Sequence, residues 1–328
     1  MKLFENKPVF LVVMAGGRGT RFWPKSTTSF PKQFLSFGGN QSLLSQTLNR
    51  FDSLVPDTQK IVVTGESLSG KVHQQVSSDV AVLAEPQGRN TAPCVYWAAR
   101  EVVAKNPEAV MMVMPSDHYI VNIKSFCNSI EKAVNWATKT NDLVTLGVKP
   151  DRPETGFGYL KKGKALLKED CFKVDSFVEK PNLDLAKQYV EGGEYLWNGG
   201  MFIWKAQAVL DEFDCQLPEY QKIWDEYKGD VTLAYPKMHA TSIDYGVMEN
   251  AKSVVTFPID CGFNDLGVWT SLESVAAELN SEHESGTLTS GECISIESTG
   301  NIIDAPGKCV ALLGVDDLIV VQSGDTLL

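Results

Sequence analysis

Short apolar runs alternate with amphipathic stretches through the first two-fifths of the chain. Val9–Met14, Lys60–Thr64, Val80–Ala84, Ala109–Met114 and Leu143–Leu146 are rich in Val, Ile and Met and end at Gly, Pro or Asp, a pattern that predicts buried strands. Between them, Ser42–Phe51, Glu66–Ser77, Thr91–Lys105 and Ser125–Lys139 space their apolar residues as helices do. Strands alternating with helices of this length predict βαβ units: an α/β fold with a Rossmann-like, mostly parallel sheet and helices on both faces. Ligands of such sheets bind beyond the carboxyl ends of the strands. That rule directs attention to the loops after Met14, Ala84 and Met114.

The middle of the chain, roughly 150–258, is less regular and richer in aromatics, and reads as insertions on the same sheet. After residue 285 no helical pattern appears. Ile294 and Ile296, Ile302-Ile303, Val310–Leu313 and Leu318–Val321 are very short runs separated by Gly, Asp and Ser. They predict a small all-β segment built like coils of a β-helix. The expected division is therefore 1–284 as a catalytic domain and 285–328 as a β-helix-like segment. The final Leu327-Leu328 is still apolar, which leaves open whether that segment is complete or is an interface.

The 328 residues carry 30 Lys and Arg against 41 Asp and Glu, a net charge of −11. Such a surface repels polyphosphate backbones, so no nucleic-acid partner is expected. No apolar run approaches the ~18 residues of a membrane span. Seven scattered cysteines without a C-x-x-C pair, beside four histidines, disfavour a zinc site and fit a reducing compartment. The cysteines read as small buried fillers. Lys2 and Lys7 ahead of Val9–Ala15 imitate a secretory leader, but Glu5 interrupts the basic region and the apolar run is short. The cytoplasm is the expected location.

The strongest chemical feature follows the first strand: Ala15-Gly16-Gly17-Arg18-Gly19-Thr20-Arg21. Three glycines at a strand-to-helix transition let backbone N–H groups approach anionic oxygens closely. A tight turn needing positive φ is the plain alternative. The loop lacks the Gly-Lys-Ser/Thr of a Walker A motif, and Phe22 replaces the last glycine of a dinucleotide fingerprint. Arg18, Arg21, Lys25 and Lys32 add a cationic cluster that reads as a polyphosphate clamp.

Extended through Phe22-Trp23-Pro24 to Phe30-Pro31-Lys32-Gln33-Phe34, this segment resembles the signature of the sugar-1-phosphate nucleotidyltransferases, and among them the bacterial mannose-1-phosphate guanylyltransferases (GDP-mannose pyrophosphorylases). Similar blocks recur in the family's order at Glu85–Pro93, Pro115–His118, Thr155–Tyr159, Phe177–Pro181, Trp197–Phe202, Asp244–Glu249 and around Asp265. Lys25 and Arg18 depart from it, standing where smaller or apolar residues are common. The phosphomannose isomerase domain of bifunctional relatives has no counterpart, so that activity is not expected.

The resemblance implies transfer of GMP from GTP to α-D-mannose 1-phosphate, giving GDP-mannose and pyrophosphate with Mg²⁺. It implies Arg21, Lys32, Asp117 and Lys180 as catalytic groups, and Ala15, Gly16, Gly17, Gly19, Thr20, Glu85, Gly88, Asn90 and Ser116 around the nucleotide. Gly156, Glu179, Lys180 and Asn198 would take the sugar phosphate. Asp117 and Asp265 would hold the metal, two carboxylates suiting a hard, partly hydrated cation. Each residue also has a plainer role: Asp117 or Asp265 as a helix cap, Asn90 as the cap of the Thr91 helix, Lys180 as a solvated strand end, and Gly199-Gly200 as a hairpin turn. Glu85 could accept from the guanine N1–H and N2–H₂ edge, as could backbone carbonyls. Adjacent Glu179 and Lys180 are expected to diverge from a strand end. His118 is not needed as a base, because the attacking phosphate is already an anion. Relatives carry a β-helical piece at the C-terminus, so a homodimer through it is expected. Three other readings stay open: another sugar phosphate or nucleotide, a catalytically silent GDP-mannose-binding regulator, and a dinucleotide oxidoreductase on the same sheet, which the missing glycine disfavours.

Overall fold

The structure, a computed structural model, describes residues 2–17, 19–37, 39–166, 171–276 and 287–328. In chain order its strands are β1 (Val9–Met14), β2 (Lys60–Gly65), β3 (Ala81–Glu85), β4 (Val110–Pro115), β5 (Tyr119–Ile120), β6 (Leu143–Val148), β7 (Gly158–Ala165), β8 (Phe172–Val178), β9 (Tyr195–Lys205), β10 (Val254–Ile259) and β11 (Phe263–Asn264). Short strands follow: β12 (Leu288–Thr289), β13 (Glu292–Ile296), β14 (Ile302–Asp304), β15 (Cys309–Leu313), β16 (Ile319–Ser323) and β17 (Thr326–Leu327). The longer helices are α1 (Leu43–Arg50), α2 (Glu66–His73), α3 (Thr91–Lys105), α4 (Ile123–Lys139), α5 (Leu183–Gly192), α6 (Ala206–Gln216) and α7 (Glu219–Glu226). The chain forms two compact units, one from Met1–Gly16, Leu48–Pro115 and Asn122–Cys261, the other from Gly17–Thr47, Ser116–Val121 and Gly262–Leu328.

The first unit is built on a nine-stranded sheet of order β3-β2-β1-β4-β9-β6-β10-β8-β7. Its β3-β2-β1-β4 half is parallel, as the alternation of runs predicts. Here β1, β2 and β4 are buried at almost every position, which is why each reads as an uninterrupted apolar run. The other half is mixed: β9 enters antiparallel between β4 and β6, and β8 follows β10 antiparallel, with β7 antiparallel to it at the end. These are the insertions expected from residues 150–258; β9 is buried at most of its positions and β8 at none. A continuous core runs from Val12, Val63 and Val113 on the sheet to Val95 and Ala99 of α3 and Val209 and Phe213 of α6. Asparagine side chains start three of the helices. Asn90 Oδ1 accepts from the Thr91 N–H (2.9 Å), Asn122 from Ser125 (2.9 Å) and Asn182 from Leu185 (3.0 Å).

The second unit joins the segment after the first strand to the C-terminal coils. Strands β12, β14 and β16 stack in parallel, as do β13 and β15, giving the β-helical build expected after residue 285. Asn301, fully buried, staples successive rungs: its amide donates to the carbonyls of Thr299 (3.0 Å) and Val315 (3.1 Å), and its oxygen accepts from Leu318 N–H (2.9 Å). The coil's inner residues Leu288, Ile302 and Val321 share one core with Phe22, Leu35, Phe37 and Trp269. Phe22 and Trp269 meet edge to face at 4.9 Å, and Trp269 Nε1 donates to the Trp23 carbonyl (3.2 Å). The glycine-loop segment is thereby anchored on the coil.

All seven cysteines are free thiols. Cys94, Cys171 and Cys261 are buried fillers as expected, but Cys215 and Cys309 are exposed, which corrects that reading for those two. Among the described residues no helix is long and apolar enough to cross a membrane.

Candidate active site

In the second unit the glycine loop and the Lys32 turn are built against each other. Gly19 has φ +43, and a Cβ there would stand 2.8 Å from both Cβ and N of Lys32. Only glycine permits that backbone at that distance. The Lys32 N–H donates to the Gly19 carbonyl (3.2 Å), and Gln33 Nε2 ties down the Gly17 carbonyl (3.1 Å). Carbonyls fixed in this way are engaged by the protein. Thr20 and Arg21 lie on the next turn and are exposed.

Lys32 itself is 5% exposed. Its ammonium donates to Asp117 Oδ2 at 3.0 Å and to the backbone carbonyl of Asp265. One lysine therefore pins both segments that carry the candidate metal-binding carboxylates. Burial pushes the Asp117 carboxyl up, but the Lys32 charge, His118 and the Lys32 hydrogen bond outweigh it and hold the group below the usual carboxylate range. The His118 ring meets Phe263 edge-on at 4.9 Å. Ser116 is buried, with Thr47 donating to its carbonyl (3.4 Å). Asp117 does not cap a helix, since Asn122 fills that place for α4. Nor does Asp265. The segment that follows it is a 3₁₀ helix at Trp269–Val275 with Val268 at its cap. The Asp265 carboxylate instead lies beside Gly267, where a Cβ would be 3.0 Å from its Oδ2.

Two clusters occupy strand ends of the first unit. At the end of β3, Glu85 is 5% exposed, and its Oε2 would sit 2.5 Å from a Cβ on Gly16. The Tyr235 hydroxyl donates to its Oε1. Ala15, fully buried, extends β1: its N–H donates to the Val63 carbonyl (2.7 Å) and its carbonyl accepts from Thr64 Oγ1 (3.1 Å). Asn90 is the cap of α3, and Gly88 is exposed with open space where a Cβ would stand.

The second cluster gathers Glu179, Lys180, Asn198 and Asp244. Glu179 and Lys180 converge rather than diverge, Lys180 Nζ lying 3.2 Å from Glu179 Oε1. The cause is backbone: Lys180 has φ +48, a left-handed conformation costing a lysine about 1–2 kcal/mol, which turns it back on its neighbour. Its N–H donates to the Phe157 carbonyl (3.2 Å), bringing in the loop of Gly156, whose own N–H donates to Glu154 (2.9 Å). Asn198 Nδ2 donates to Asp244 Oδ1 at 2.7 Å, while its oxygen accepts from Gly200 N–H (3.2 Å) and Thr145 Oγ1 (3.3 Å). Burial, then the Glu179 charge, raises the Asp244 carboxyl to about 6. Gly199 and Gly200 lie within β9, not in a hairpin turn.

The sequence model of the Nucleotidyl transferase family matches residues 11–282. The chain belongs to the nucleotidyl transferase family. A second model, the MannoseP isomerase/GMP-like beta-helix domain, matches residues 291–328. A mannose-1-phosphate guanylyltransferase of Escherichia coli is 36% identical over 98% of this chain and 72% of its own length. One from Salmonella montevideo is 37% identical over 97% and 69%. Among solved structures, a protein of Thermus thermophilus described as a mannose-1-phosphate geranyltransferase matches with a TM-score of 0.89 and 31% identity, covering 98% of this chain and 94% of that one.

In this nucleotidyl transferase one member of the expected phosphate clamp is otherwise engaged. Lys25 pairs with Asp304 of β14 at 2.6 Å, with Ser290 also bonded to that carboxylate, so it fastens the loop segment to the coil. Arg18 lies outside the described residues. The pair lines a cavity of about 480 Å³ with Phe30, Phe34, Leu288 and Ile302, but Lys32, Asp117 and Asp265 are not among its lining residues. We therefore separate that cavity from the candidate active site. Three residues without an expected role join these clusters: Asp244, Tyr235 and, through its guanidinium bond to the Pro236 carbonyl, Arg89. Asp244 and Arg89 fall inside recognised blocks, whereas nothing in the local sequence distinguishes Tyr235.

Proposed function

We propose that the chain transfers GMP from GTP to α-D-mannose 1-phosphate, releasing pyrophosphate and forming GDP-mannose, with residues 1–284 as the catalytic domain and 285–328 as a terminal β-helix-like segment. The Lys32 bridge to Asp117 and to the Asp265 carbonyl carries this reading on the structural side. The guanylyltransferase relatives, matched over 97–98% of this chain, carry it on the side of specificity.

The chemistry is in-line attack of a sugar phosphate oxygen on the α-phosphorus. The nucleophile is already an anion, so no general base is required. What must be overcome is repulsion between a monoester and a triphosphate. We assign that work to Lys32 and Arg21, with backbone N–H groups of Gly17, Gly19 and Thr20 on the triphosphate. Ala15, Gly16, Glu85, Gly88, Asn90 and Ser116 are assigned to the nucleoside side, Glu85 as acceptor for the guanine N1–H and N2–H₂ edge. Glu179 and Asn198 are assigned to hexose hydroxyls, and Lys180 with the Gly156 loop to the sugar phosphate.

Nucleotidyl transferases of this family use a divalent cation, and for this chain we assign Mg²⁺ to Asp117 and Asp265. The donor chemistry fits, since both are oxygen ligands and Asp117 is held ionised by Lys32 and His118. When bound, the cation neutralises phosphate oxygens. We place the enzyme in the cytoplasm. We also propose a homodimer through the terminal coil, whose outer face exposes Ile294, Ile296 and Leu313. Sedimentation of the purified chain as a monomer would oppose that last point.

Making one phosphoanhydride while breaking another is nearly balanced, so the reverse reaction tests the proposal. GDP-mannose and pyrophosphate with Mg²⁺ should yield GTP, and chelation should stop the reaction. Absence of GTP at saturating GDP-mannose would refute it.

A further inference from the structure

Glu85 sits at the carboxyl end of a parallel strand, where ligands of such sheets bind, yet it is 5% exposed. Sinking a carboxylate there costs free energy unless its oxygens are engaged. One oxygen is taken by the hydroxyl of Tyr235, a residue 150 positions further along the chain and fully buried. The other lies against the backbone of Gly16, so close that a Cβ would stand 2.5 Å away. The carboxylate is thus clamped on both sides.

Tyr235 is itself well fixed. It opens the short 3₁₀ turn Tyr235–Lys237, and its ring meets Trp97 edge-on at 5.8 Å. The same turn is tied to the Glu85–Asn90 loop a second time, through the Arg89 guanidinium donating to the Pro236 carbonyl. Burial and the neighbouring Cys94 and Glu85 keep the Tyr235 phenol protonated, so it is the donor in its bond to Glu85. Burial raises the Glu85 carboxyl and the Tyr235 hydrogen bond opposes that rise.

We infer that Tyr235 is a specificity-determining positioning residue: its hydroxyl fixes the rotation of the Glu85 carboxylate, and so the acceptor geometry with which Glu85 reads guanine. This rests on the assignment of Glu85 to the guanine edge. A carboxylate free to rotate still offers charge, but it pairs less well with two adjacent N–H groups at fixed spacing. A base lacking the 2-amino group makes one of those two contacts. Discrimination between GTP and ITP therefore reads carboxylate geometry, whereas triphosphate handling does not.

The experiment measures kcat and KM for GTP and for ITP, with mannose 1-phosphate, in the full chain and in Tyr235→Phe and Glu85→Gln, with melting temperatures alongside. For Tyr235→Phe we expect KM for GTP to rise roughly tenfold, the loss of one buried hydrogen bond, with kcat nearly unchanged. The GTP/ITP ratio of kcat/KM should fall toward that of Glu85→Gln. Tyr235→His, which keeps a ring and an N–H donor, should recover part of the ratio and supplies a second variant if the phenylalanine form is unstable. A wild-type ratio in Tyr235→Phe, with the ratio lost in Glu85→Gln, would overturn the role of Tyr235 and leave Glu85 as the reader. A wild-type ratio in Glu85→Gln would overturn the assignment of Glu85, and the role of Tyr235 with it. A fall in kcat and KM effects alike for both nucleotides, at an unchanged ratio, would reduce Tyr235 to a structural part.

Discussion

Replacing Lys32 by methionine keeps the stem of the side chain and removes its ammonium. The structure sets the expected cost on two separate scales. For stability, the variant loses one charge-assisted hydrogen bond to Asp117 (3.0 Å) and one bond to the Asp265 carbonyl. Such losses run to about 1.5–3 kcal/mol for a charged partner. Here the Asp117 side chain is 34% exposed, so water takes over part of the solvation and about 2 kcal/mol is expected. A domain of ordinary stability, about 5–15 kcal/mol, survives that. For turnover, the lost group is one aimed at developing phosphate charge, and removing such a donor costs roughly 100–1000-fold in kcat. Continuous pyrophosphate release gives the kinetics, and urea unfolding of the same preparations gives the stability. A kcat/KM within about threefold of wild type in folded Lys32→Met would refute that role for the ammonium. So would a loss of activity that merely follows the unfolded fraction.

Other consequences follow from single contacts. Gly19→Ala must put a Cβ against Lys32 at 2.8 Å in a left-handed backbone, so turnover should fall by at least roughly tenfold with a stability loss of about 1–2 kcal/mol; wild-type kinetics would show that the loop has slack. Lys25→Met should cost about 1–2 kcal/mol in urea unfolding, since it leaves the half-buried Asp304 charge with Ser290 but no cation, yet leave the KM for GTP within about twofold. A large KM effect would return Lys25 to the phosphate clamp. The Asp244 carboxyl, raised from 3.8 to about 6, binds its proton more tightly in the folded chain, so its ionisation removes stability as pH rises from near 4 to near 6. Solvent screening trims the effect to about 2 kcal/mol. Asp244→Asn should gain stability relative to wild type over that window, and a difference that does not change with pH would contradict the assignment.

Much of the architecture is legible in the sequence because it is written in local burial. Val9–Met14 and Thr91–Lys105 fall where their periodicity puts them, and the very short runs after 285 are rungs of a parallel coil. Periodicity reports which face is buried, however, and not against what. The antiparallel entry of β9 between β4 and β6 leaves no local mark, since a strand buried on both faces looks alike in either direction. Lys25 counted as a phosphate ligand by charge and proximity in sequence, and its partner Asp304 lies 279 residues away. Glu179 and Lys180 converge because of one left-handed φ at a non-glycine residue, which composition cannot reveal. Tyr235 meets Glu85 across 150 residues, from a turn with no motif of its own. The blocks legible through family resemblance are therefore those whose chemistry sits on short segments. The groups that orient them come from elsewhere in the chain.

The most direct test of the central claim is pyrophosphate release with GTP, Mg²⁺ and a panel of hexose 1-phosphates, with ATP, UTP and dTTP in parallel. Release is expected with GTP and mannose 1-phosphate and little with any other pair. Preferred release with a different nucleotide or sugar would overturn the specificity. Absence of release from every pair, while GDP-mannose still binds, would contradict the claim that the chain is an enzyme.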